Sequence, residues 1–291
     1  VWEKFCNYFE VEARVAPLAE DRFTIGAEQV RPLIDERTIG VAGLLGTTFT
    51  GQMDDLASVD ALLVELESKE GWHIPMHVDA ATGGFITPFA RPEEAWDFRL
   101  PSVHSINVSN HKFGLVYPGM GTVVFRSRSD LPKELIYHIT YLGGDQPNYS
   151  LNFSRPSTSV ILQYYAFLRL GHEGYAAIVS AMLENARALA ARIQKIDCLE
   201  VITDGSLFPI VVARTLNPDE LDLELVSRLL RERGWIVPAY TLPANAEKVQ
   251  VLRIVVKENF SRDMVDQLAH DLTAAVKLMR TGVGNVPIPH R

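Results

Sequence analysis

Strand-like and helix-like segments alternate along the first half of this chain, and that alternation limits its fold more than any other feature. The predicted elements of this half are helices at 2–9 and 56–69 and strands at 11–15, 38–48, 74–78, 102–108 and 121–126. Such alternation with short connections favours a mostly parallel sheet that is covered by helices. Ligands of these sheets bind beyond the carboxyl ends of the strands.

The second half of the chain has a different pattern. Residues 157–193 predict a nearly continuous helix, interrupted at Gly171 and Gly174, that leads away from the first domain. The elements predicted beyond it are strands at 208–213, 235–240 and 249–256 and helices at 219–233 and 261–280. We therefore predict an α/β chain in three parts, with a large domain at 1–156, a connecting helix at 157–195 and a small α+β domain at 196–291.

Composition limits the classes of protein to which the chain can belong. A net charge of −8 and a pI near 5.5, without a cluster of Lys and Arg, argue against a surface for nucleic acid or anionic membranes. No apolar run approaches the roughly 20 residues that span a bilayer, and the first residues lack the layout of a signal peptide. Cys6 and Cys198 are far apart and outside any CxxC pattern. We therefore expect no disulfide framework, no metal site and a reducing cytoplasm.

Two predicted strands end in residues of complementary chemistry. Asp79 ends the run that contains His77 and Val78, and Lys112 follows 33 residues later in the pentad Ser-Asn-His-Lys-Phe. In a parallel sheet, both side chains would lie at the same edge. A lysine amine can condense with the aldehyde of pyridoxal phosphate, and a carboxylate can hold a proton on its pyridine nitrogen. The pair therefore suggests a pyridoxal-phosphate enzyme.

Further motifs surround this pair, at residues 77–85, 96–101, 109–114, 141–144, 152–156 and 233–240. Together they resemble glutamate decarboxylase, a member of the group II pyridoxal-phosphate-dependent decarboxylases. Asp79 with His111 and Lys112 is shared by many of these decarboxylases, whereas Phe-Ser-Arg-Pro and Trp-Asp-Phe-Arg-Leu-Pro point to the glutamate branch. The resemblance covers nearly the whole chain. It implies a fold-type I, transferase-like large domain, of which residues 1–156 are the C-terminal part, and a small C-terminal α+β domain.

The resemblance also implies roles for individual residues. Asp79 would keep the pyridine ring protonated, and Lys112 would hold the cofactor and return a proton. His111 would contact the cofactor or the substrate, Thr48 would approach the reacting group, and Arg253 would bind a substrate carboxylate through its guanidinium fork. The remaining implied cofactor contacts are Ala81 against the ring, Ser109 at the phosphate, and Ser154 at the phosphate of a neighbouring subunit, which implies a homodimer.

Each of these residues also has a purely structural interpretation, which the sequence leaves open. Asp79 and Thr48 suit strand ends and helix caps, and Ser109 and Ser154 suit turns. Arg253 lies inside an apolar strand, where it would form an internal ion pair, because a buried arginine must be paired. The other structural interpretations are a packed side chain for His111, core filling for Ala81 and a solvated surface charge for Lys112.

Two departures from the family pattern bear on activity. Asn110 stands where the family usually has glycine, and it is expected to crowd the phosphate or to require a left-handed backbone. The family's N-terminal segment, which supplies further cofactor and substrate contacts, has no counterpart before Val1, so we expect a truncated chain with an incomplete site. The sequence lacks the basic, Trp-containing C-terminal helix through which plant members bind calmodulin. His290 matches the tail histidine of some bacterial members only weakly.

The expected activity is the pyridoxal-phosphate-dependent decarboxylation of L-glutamate to γ-aminobutyrate and carbon dioxide, a lyase reaction that consumes a proton. Two alternatives stay open. A related decarboxylase would act on aspartate or on an aromatic amino acid. A catalytically incomplete fragment would bind the cofactor or dimerise without turnover.

Overall fold

The computed structural model describes residues 1–141, 143–152 and 154–280. Leu142, Phe153 and the tail from residue 281, which includes His290, lie outside the described residues. The helices are α1 (Trp2–Tyr8), α2 (Ala27–Val30), α3 (Leu56–Glu70), α4 (Thr87–Ala90), α5 (Asn110–Phe113), α6 (Thr158–Ile193), α7 (Leu223–Glu232) and α8 (Arg262–Arg280). The strands are β1 (Val41–Leu44), β2 (Met76–Asp79), β3 (Val103–Val108), β4 (Thr122–Phe125), β5 (Tyr137–Ile139), β6 (Gln146–Asn148), β7 (Leu199–Asp204), β8 (Ile210–Thr215), β9 (Ala239–Thr241) and β10 (Gln250–Val255).

The first sheet has the order β1-β2-β3-β4 and is mostly parallel, as the sequence predicts. β1, β2 and β3 are parallel neighbours, and β4 pairs with β3 in the antiparallel sense. Leu44 is paired with Asp79, and Asp79 with Asn107. The three parallel strands therefore present their carboxyl ends at one edge, where the turns that follow them meet.

Helix α3 packs on this sheet and agrees with the helix predicted at 56–69 to within one residue. The Asp55 carboxylate accepts a hydrogen bond from the Ser58 backbone N–H at the start, and Gly71 ends the helix with a φ of 73°. The apolar side chains that α3 buries are Leu56, Val59, Leu62, Leu63 and Leu66. Each contributes roughly 1.5–3 kcal/mol through burial. The apolar face of α3 thus fixes the layer that carries the strand ends.

The second sheet is antiparallel, in the order β7-β8-β10-β9, and packs with α6 and α7, against which α8 packs in turn. The small α+β arrangement is confirmed, although β7 was not among the predicted strands. The predicted start of α7 at residue 219 is wrong by one turn. Asp222 caps the helix by accepting from the backbone N–H groups of Glu224 and Leu225, so the helix begins at Leu223.

The predicted strand at residues 11–15 is wrong, because this segment has no partner strand. Glu10, just before it, has a φ of 54°, which turns the chain. Most of the side chains from 11 to 15 are exposed, so alternation there does not mark a buried face. The predicted helix at 157–193 is confirmed as α6, and the predicted interruption lies at Gly171, whose φ of 58° is not helical.

Hydrogen bonds join the second sheet to the turn that follows β1. The Thr203 hydroxyl donates to the Thr50 carbonyl at 2.6 Å, and the Tyr240 hydroxyl donates to the Phe49 carbonyl at 2.6 Å. Gly51 packs against Ile210, where an added Cβ would lie 2.8 Å from the isoleucine side chain. The two sheets thus meet at the carboxyl edge of the parallel strands.

Candidate active site

Asp79 ends β2 and is held by hydrogen bonds to one of its oxygens. Oδ1 accepts from the Ala81 backbone N–H at 3.1 Å and from Asn107 Nδ2 at 3.0 Å. Among the described residues, none donates to Oδ2. The carboxylate is therefore fixed in orientation while one oxygen is left for the donor of a ligand.

A second layer of side chains orients Asn107. Its Oδ1 accepts from His77 Nε2 at 2.7 Å, and His77 Nδ1 lies 2.7 Å from Ser105 Oγ. Because Nδ2 of Asn107 donates to a carboxylate, its amide orientation is fixed, and His77 must carry its proton on Nε2. The Trp2 ring packs edge-on against His77, with 5.3 Å between ring centroids. Alternate residues of β2 and β3 thus support Asp79.

Lys112 lies on the one-turn helix α5, directly after β3. Its half-buried ammonium group donates to Thr82 Oγ1 at 3.3 Å. Burial lowers the pKa of Lys112, the charge of Asp79 raises it, and the charge of Arg253 lowers it. Because burial is the largest of these effects, a larger fraction of the Lys112 amine is neutral and nucleophilic than in an exposed lysine.

The Lys112 side chain faces a cleft of about 200 Å³ between the two sheets. The polar residues that line this cleft include Thr48, Thr82, His111, Lys112, Arg253 and Lys257. Three of these six are permanent cations or amines, and none is a carboxylate. The cleft is therefore suited to anionic ligands.

Thr48 reaches the cleft through a tight turn after β1. Gly46 has a φ of 98°, and an added Cβ would lie 2.8 Å from the Thr82 side chain, so only glycine fits there. Thr47 is buried, and its hydroxyl lies 2.8 Å from the Thr50 hydroxyl. Thr48 itself is exposed at the rim. The turn thus positions Thr48 next to Thr82 and Lys112.

The opposite wall of the cleft comes from β10. Arg253 is half-buried there, and its Nε is a buried donor without a hydrogen-bond partner among the described residues. Burial raises the pKa of the nearby Tyr240 phenol, and the charge of Arg253 and a hydrogen bond with its side chain lower it, so only the Nε of the guanidinium is buried without a partner in the described part of the chain. The structural alternative for Arg253, an internal ion pair, is therefore not formed among the described residues. An unsatisfied buried guanidinium donor is costly, so it indicates a ligand anion.

Lys257, two residues beyond β10, was not among the predicted site residues. Its Nζ donates to the backbone carbonyl of Lys112 and lies 4.8 Å from the centroid of the Phe113 ring. It lines the same cleft. The only sequence signal for it was its place just after the strand that contains Arg253.

The left-handed backbone that was one of the two expectations for Asn110 is not found. Asn110 is 2 % exposed and lies in α5, and it is not among the non-glycine residues with positive φ. Its amide Nδ2 donates to Gln163 Oε1 at 2.9 Å, and its Oδ1 accepts from the Thr122 hydroxyl at 2.8 Å. The side chain thus fills a polar interior site between Gln163 and Thr122.

The other predicted residues occupy different surroundings. His111 is exposed on the cleft, and its Nδ1 lies 3.3 Å from the Met120 carbonyl. Ser109 is the half-buried residue before α5, and its side chain makes no capping bond. Ala81 is half-buried beside Asp79. Ser154 is exposed and does not line the cleft.

The described residues contain neither a metal-binding cluster nor a membrane-spanning helix. Those residues contain no group of three or more His, Cys, Asp or Glu side chains that is arranged to hold a metal ion. None of the described helices is both long enough and apolar enough to cross a bilayer.

Comparison with known proteins identifies relatives over almost the whole chain. The model of the pyridoxal-dependent decarboxylase conserved domain matches residues 1–214. Glutamate decarboxylase 1 of Arabidopsis thaliana is 47% identical over 280 residues, which are 96% of this chain and 55% of that protein. Glutamate decarboxylase beta of Listeria monocytogenes is 41% identical over 278 residues, 95% of this chain and 60% of that protein. The chain thus spans little more than half the length of the curated relatives it matches.

Solved structures give the same result. Glutamate decarboxylase of Lactobacillus brevis superimposes with a TM-score of 0.92 and 40% identity, over 99% of this chain and 65% of that one. Tryptophan decarboxylase of Catharanthus roseus superimposes with a TM-score of 0.76 at 17% identity, over 95% of this chain and 60% of that one, a likeness in fold alone. The predicted fold-type I arrangement is confirmed.

Proposed function

From the premise that the chain belongs to the pyridoxal-dependent decarboxylase family, we propose that it is the lysine-bearing part of a glutamate decarboxylase. The reaction would convert L-glutamate to γ-aminobutyrate and carbon dioxide. One observation carries the proposal: Lys112 and Arg253, whose Nε has no hydrogen-bond partner among the described residues, line one cleft at the carboxyl edge of the parallel strands. The relatives' names supply the substrate.

The side chains present fit pyridoxal phosphate. Lys112 offers a half-buried amine to the aldehyde, and Asp79 offers Oδ2 to the protonated ring nitrogen. Ala81 would lie against the ring, and the hydroxyl of Ser109, which caps no helix, would serve the phosphate. When bound, this cofactor supplies the sink for the electrons that remain when carbon dioxide leaves the amino acid.

The protein's own groups would then bind and orient the substrate. Arg253 would hold a substrate carboxylate by charge-assisted hydrogen bonds that include the orphaned Nε. Thr48 and His111, on the rim, would limit where the reacting group lies. Asp79 would keep a proton on the ring nitrogen by its negative charge, and Lys112 would return a proton to the product.

A homodimer is part of the proposal. Ser154 is exposed and outside the cleft, as expected of a residue that serves a neighbouring subunit. The first turns of α6 expose apolar side chains, with Ile161 62% exposed, Tyr164 64% and Leu168 69%. Contiguous exposed apolar residues of this kind mark interaction surfaces. Sedimentation velocity would test this part: a dimer is expected, and a monomer at micromolar concentration would contradict it.

We also propose the three-part organisation at 1–156, 157–195 and 196–291, and a cytoplasmic location. The division is supported by the separate sheets on either side of α6. The two cysteines are both unpaired, which suits a reducing compartment.

A catalytically incomplete fragment is the second candidate function. The cleft of about 200 Å³ is smaller than the roughly 300–1,000 Å³ of typical small-molecule sites. This chain alone would then bind the cofactor weakly and leave the substrate exposed to water.

The test is a decarboxylation assay on this chain and on a longer protein that contains it. Each is incubated with pyridoxal phosphate and with glutamate, aspartate or tryptophan, and the released amine and carbon dioxide are measured. Turnover of glutamate by the longer protein, abolished by Lys112→Ala and kept in Lys69→Ala, is expected. Turnover only with another amino acid would overturn the glutamate assignment. Activity in the longer protein alone would favour the fragment.

A further inference from the structure

The one-turn helix α5 carries Lys112 and is held at both ends by a single buried chain of hydrogen bonds. The Thr122 hydroxyl on β4 donates to Asn110 Oδ1 at 2.8 Å, and Asn110 Nδ2 donates to Gln163 Oε1 at 2.9 Å. Gln163 Nε2 donates to the Tyr175 hydroxyl at 2.9 Å. The Tyr175 hydroxyl in turn donates to the Gly114 carbonyl at 3.0 Å. These hydrogen bonds thus hold α5 at Asn110, before Lys112, and at Gly114, after it.

Every member of this chain has a fixed direction. The Gly114 carbonyl can only accept, so Tyr175 must donate to it and accept from Gln163, and the amides of Gln163 and Asn110 are oriented in turn. Asn110, Gln163 and Tyr175 are each 2% exposed, so water does not compete for these bonds. Burial raises the pKa of Tyr175, so its hydroxyl stays a donor near neutral pH. Loss of one bond would leave buried polar groups unsatisfied.

Packing closes the same turn tightly. An added Cβ on Gly114 would lie 2.5 Å from the Asn110 carbonyl and 2.8 Å from Gln163 Oε1. The Tyr175 ring stacks on Phe89, with 5.4 Å between centroids, and contacts Phe85 at 5.6 Å. The ring therefore holds the hydroxyl in place against the end of α5. Helix α6, which supplies Gln163 and Tyr175, sets the position of α5 from outside the cleft.

We propose that Asn110, Gln163 and Tyr175 are positioning residues for Lys112: they fix the turn of α5 so that the amine faces the cleft beside Thr82. None of the three touches the cleft. Asn110 connects α5 to α6 through its hydrogen bond to Gln163. The inference rests on the proposed function only for the identity of Lys112 as the reactive amine.

The experiment uses two near-isosteric variants at opposite ends of the chain of bonds, Tyr175→Phe and Thr122→Val, and their double variant. Ile193→Val, at the far end of α6, is the control for a small loss of packing. In the free chain, trace acetylation with acetic anhydride across pH gives the reactivity and pKa of Lys112, and hydrogen exchange gives the protection of the Lys112 amide. That amide donates to the Ser109 carbonyl at 3.0 Å.

We expect the Lys112 amide to exchange about 2- to 10-fold faster in Thr122→Val, which loses one hydrogen bond, and faster still in Tyr175→Phe, which loses both the bond to Gly114 and the bond from Gln163. The Lys112 pKa should rise towards its ordinary value, because a looser turn lets water reach the ammonium. Ile193→Val should leave both unchanged. Variants that lower Tm but keep the Lys112 exchange rate and acetylation profile of the wild type would overturn the proposal.

A cofactor readout separates this inference from the proposed function. The absorbance titration of the chain with added pyridoxal phosphate should shift in Tyr175→Phe and not in Ile193→Val. If no variant, including the wild type, binds the cofactor at Lys112, the proposed function fails. The exchange and acetylation results on the free chain still decide the positioning role.

Discussion

The candidate site has two walls that hold their polar groups in opposite ways. The first lies at the ends of β2 and β3 and carries Asp79, which is outside the residues that line the cleft, and the second carries Arg253, which lines it. On the wall formed by β2 and β3, protein donors satisfy one Asp79 oxygen, and a second layer of His77 and Ser105 orients those donors. On the wall formed by β10, Arg253 keeps a buried Nε without a partner among the described residues. On the first wall, the protein alone orients the carboxylate. On the second, a ligand would supply the missing hydrogen-bond partner of Arg253 Nε.

This difference indicates that the first wall should bind the cofactor and the second the substrate. A preorganised carboxylate suits a cofactor that stays bound, because its orientation costs nothing at each turnover. A guanidinium with an open donor suits a substrate that enters and leaves, because its desolvation cost is offset only while a carboxylate is bound. The walls also act on Lys112 with opposite signs, since Asp79 raises its pKa and Arg253 lowers it.

Asp79→Asn should have the largest effect, because it removes the charge of the preorganised wall. A carboxylate next to a cation moves a pKa by roughly 1 to 3 units, so the loss of ring protonation should lower kcat by about 10- to 1,000-fold. The longer, active protein is assayed with glutamate. Asp219→Asn, at an exposed residue, is the matched control and should stay near wild type. A kcat for Asp79→Asn equal to that of the control would break the comparison.

Arg253→Gln should come next and act on substrate binding. Loss of a charge-assisted hydrogen bond costs about 1.5–3 kcal/mol, which corresponds to a fall in kcat/KM of about 10- to 150-fold. Arg253→Lys keeps the charge without the guanidinium fork, so its kcat/KM should lie between those of the wild type and Arg253→Gln. Cofactor affinity should stay unchanged in both. If cofactor affinity falls and glutamate KM does not, the open donor serves the cofactor and the division between walls is wrong.

Only part of the first wall could be predicted from the sequence. Asp79 and Lys112 were predictable because both follow apolar strands, and parallel strands end at one edge. Asn107 and His77 were not assigned roles, because their contacts depend on the register that pairs Asp79 with Asn107. That register joins segments about 30 residues apart and is set by packing, which local sequence does not encode.

The second wall shows the same limit more strongly. Arg253 stood out as a charge inside an apolar strand, but whether a protein carboxylate paired with it depended on tertiary structure. Lys257 looked like any lysine after a strand, and its contact with the Lys112 carbonyl joins residues 145 positions apart. Asn110 was misjudged because its partners, Thr122 and Gln163, lie on two elements that local sequence does not bring together.

Lys257→Met should have a smaller effect, on stability more than on chemistry. It removes a cation that contacts the Lys112 carbonyl and the Phe113 ring, which should cost about 1 kcal/mol and lower Tm by about 2 °C. Lys69→Met, on the exposed face of α3, is the control. A wild-type Tm for Lys257→Met would show that Lys257 does not stabilise the contact between the two walls.

The smallest effect is an opposite shift of the Lys112 titration in two variants. Asp79→Asn removes a charge that raises the Lys112 pKa, so its amine should deprotonate at lower pH than in the wild type. Arg253→Gln removes a charge that lowers the pKa, so deprotonation should move to higher pH. Trace acetylation of the free chain across pH measures both. Shifts in the same direction would show that burial changes outweigh the two charges.

The most direct test of the account is to find which lysine takes up the cofactor. The purified chain is incubated with pyridoxal phosphate, reduced with borohydride, digested and mapped by mass spectrometry. The cleft offers two amines, and the account predicts a stoichiometric label on Lys112, lost in Lys112→Ala and kept in Lys257→Met. A label on Lys257, or one scattered over surface lysines with none on Lys112, would contradict it.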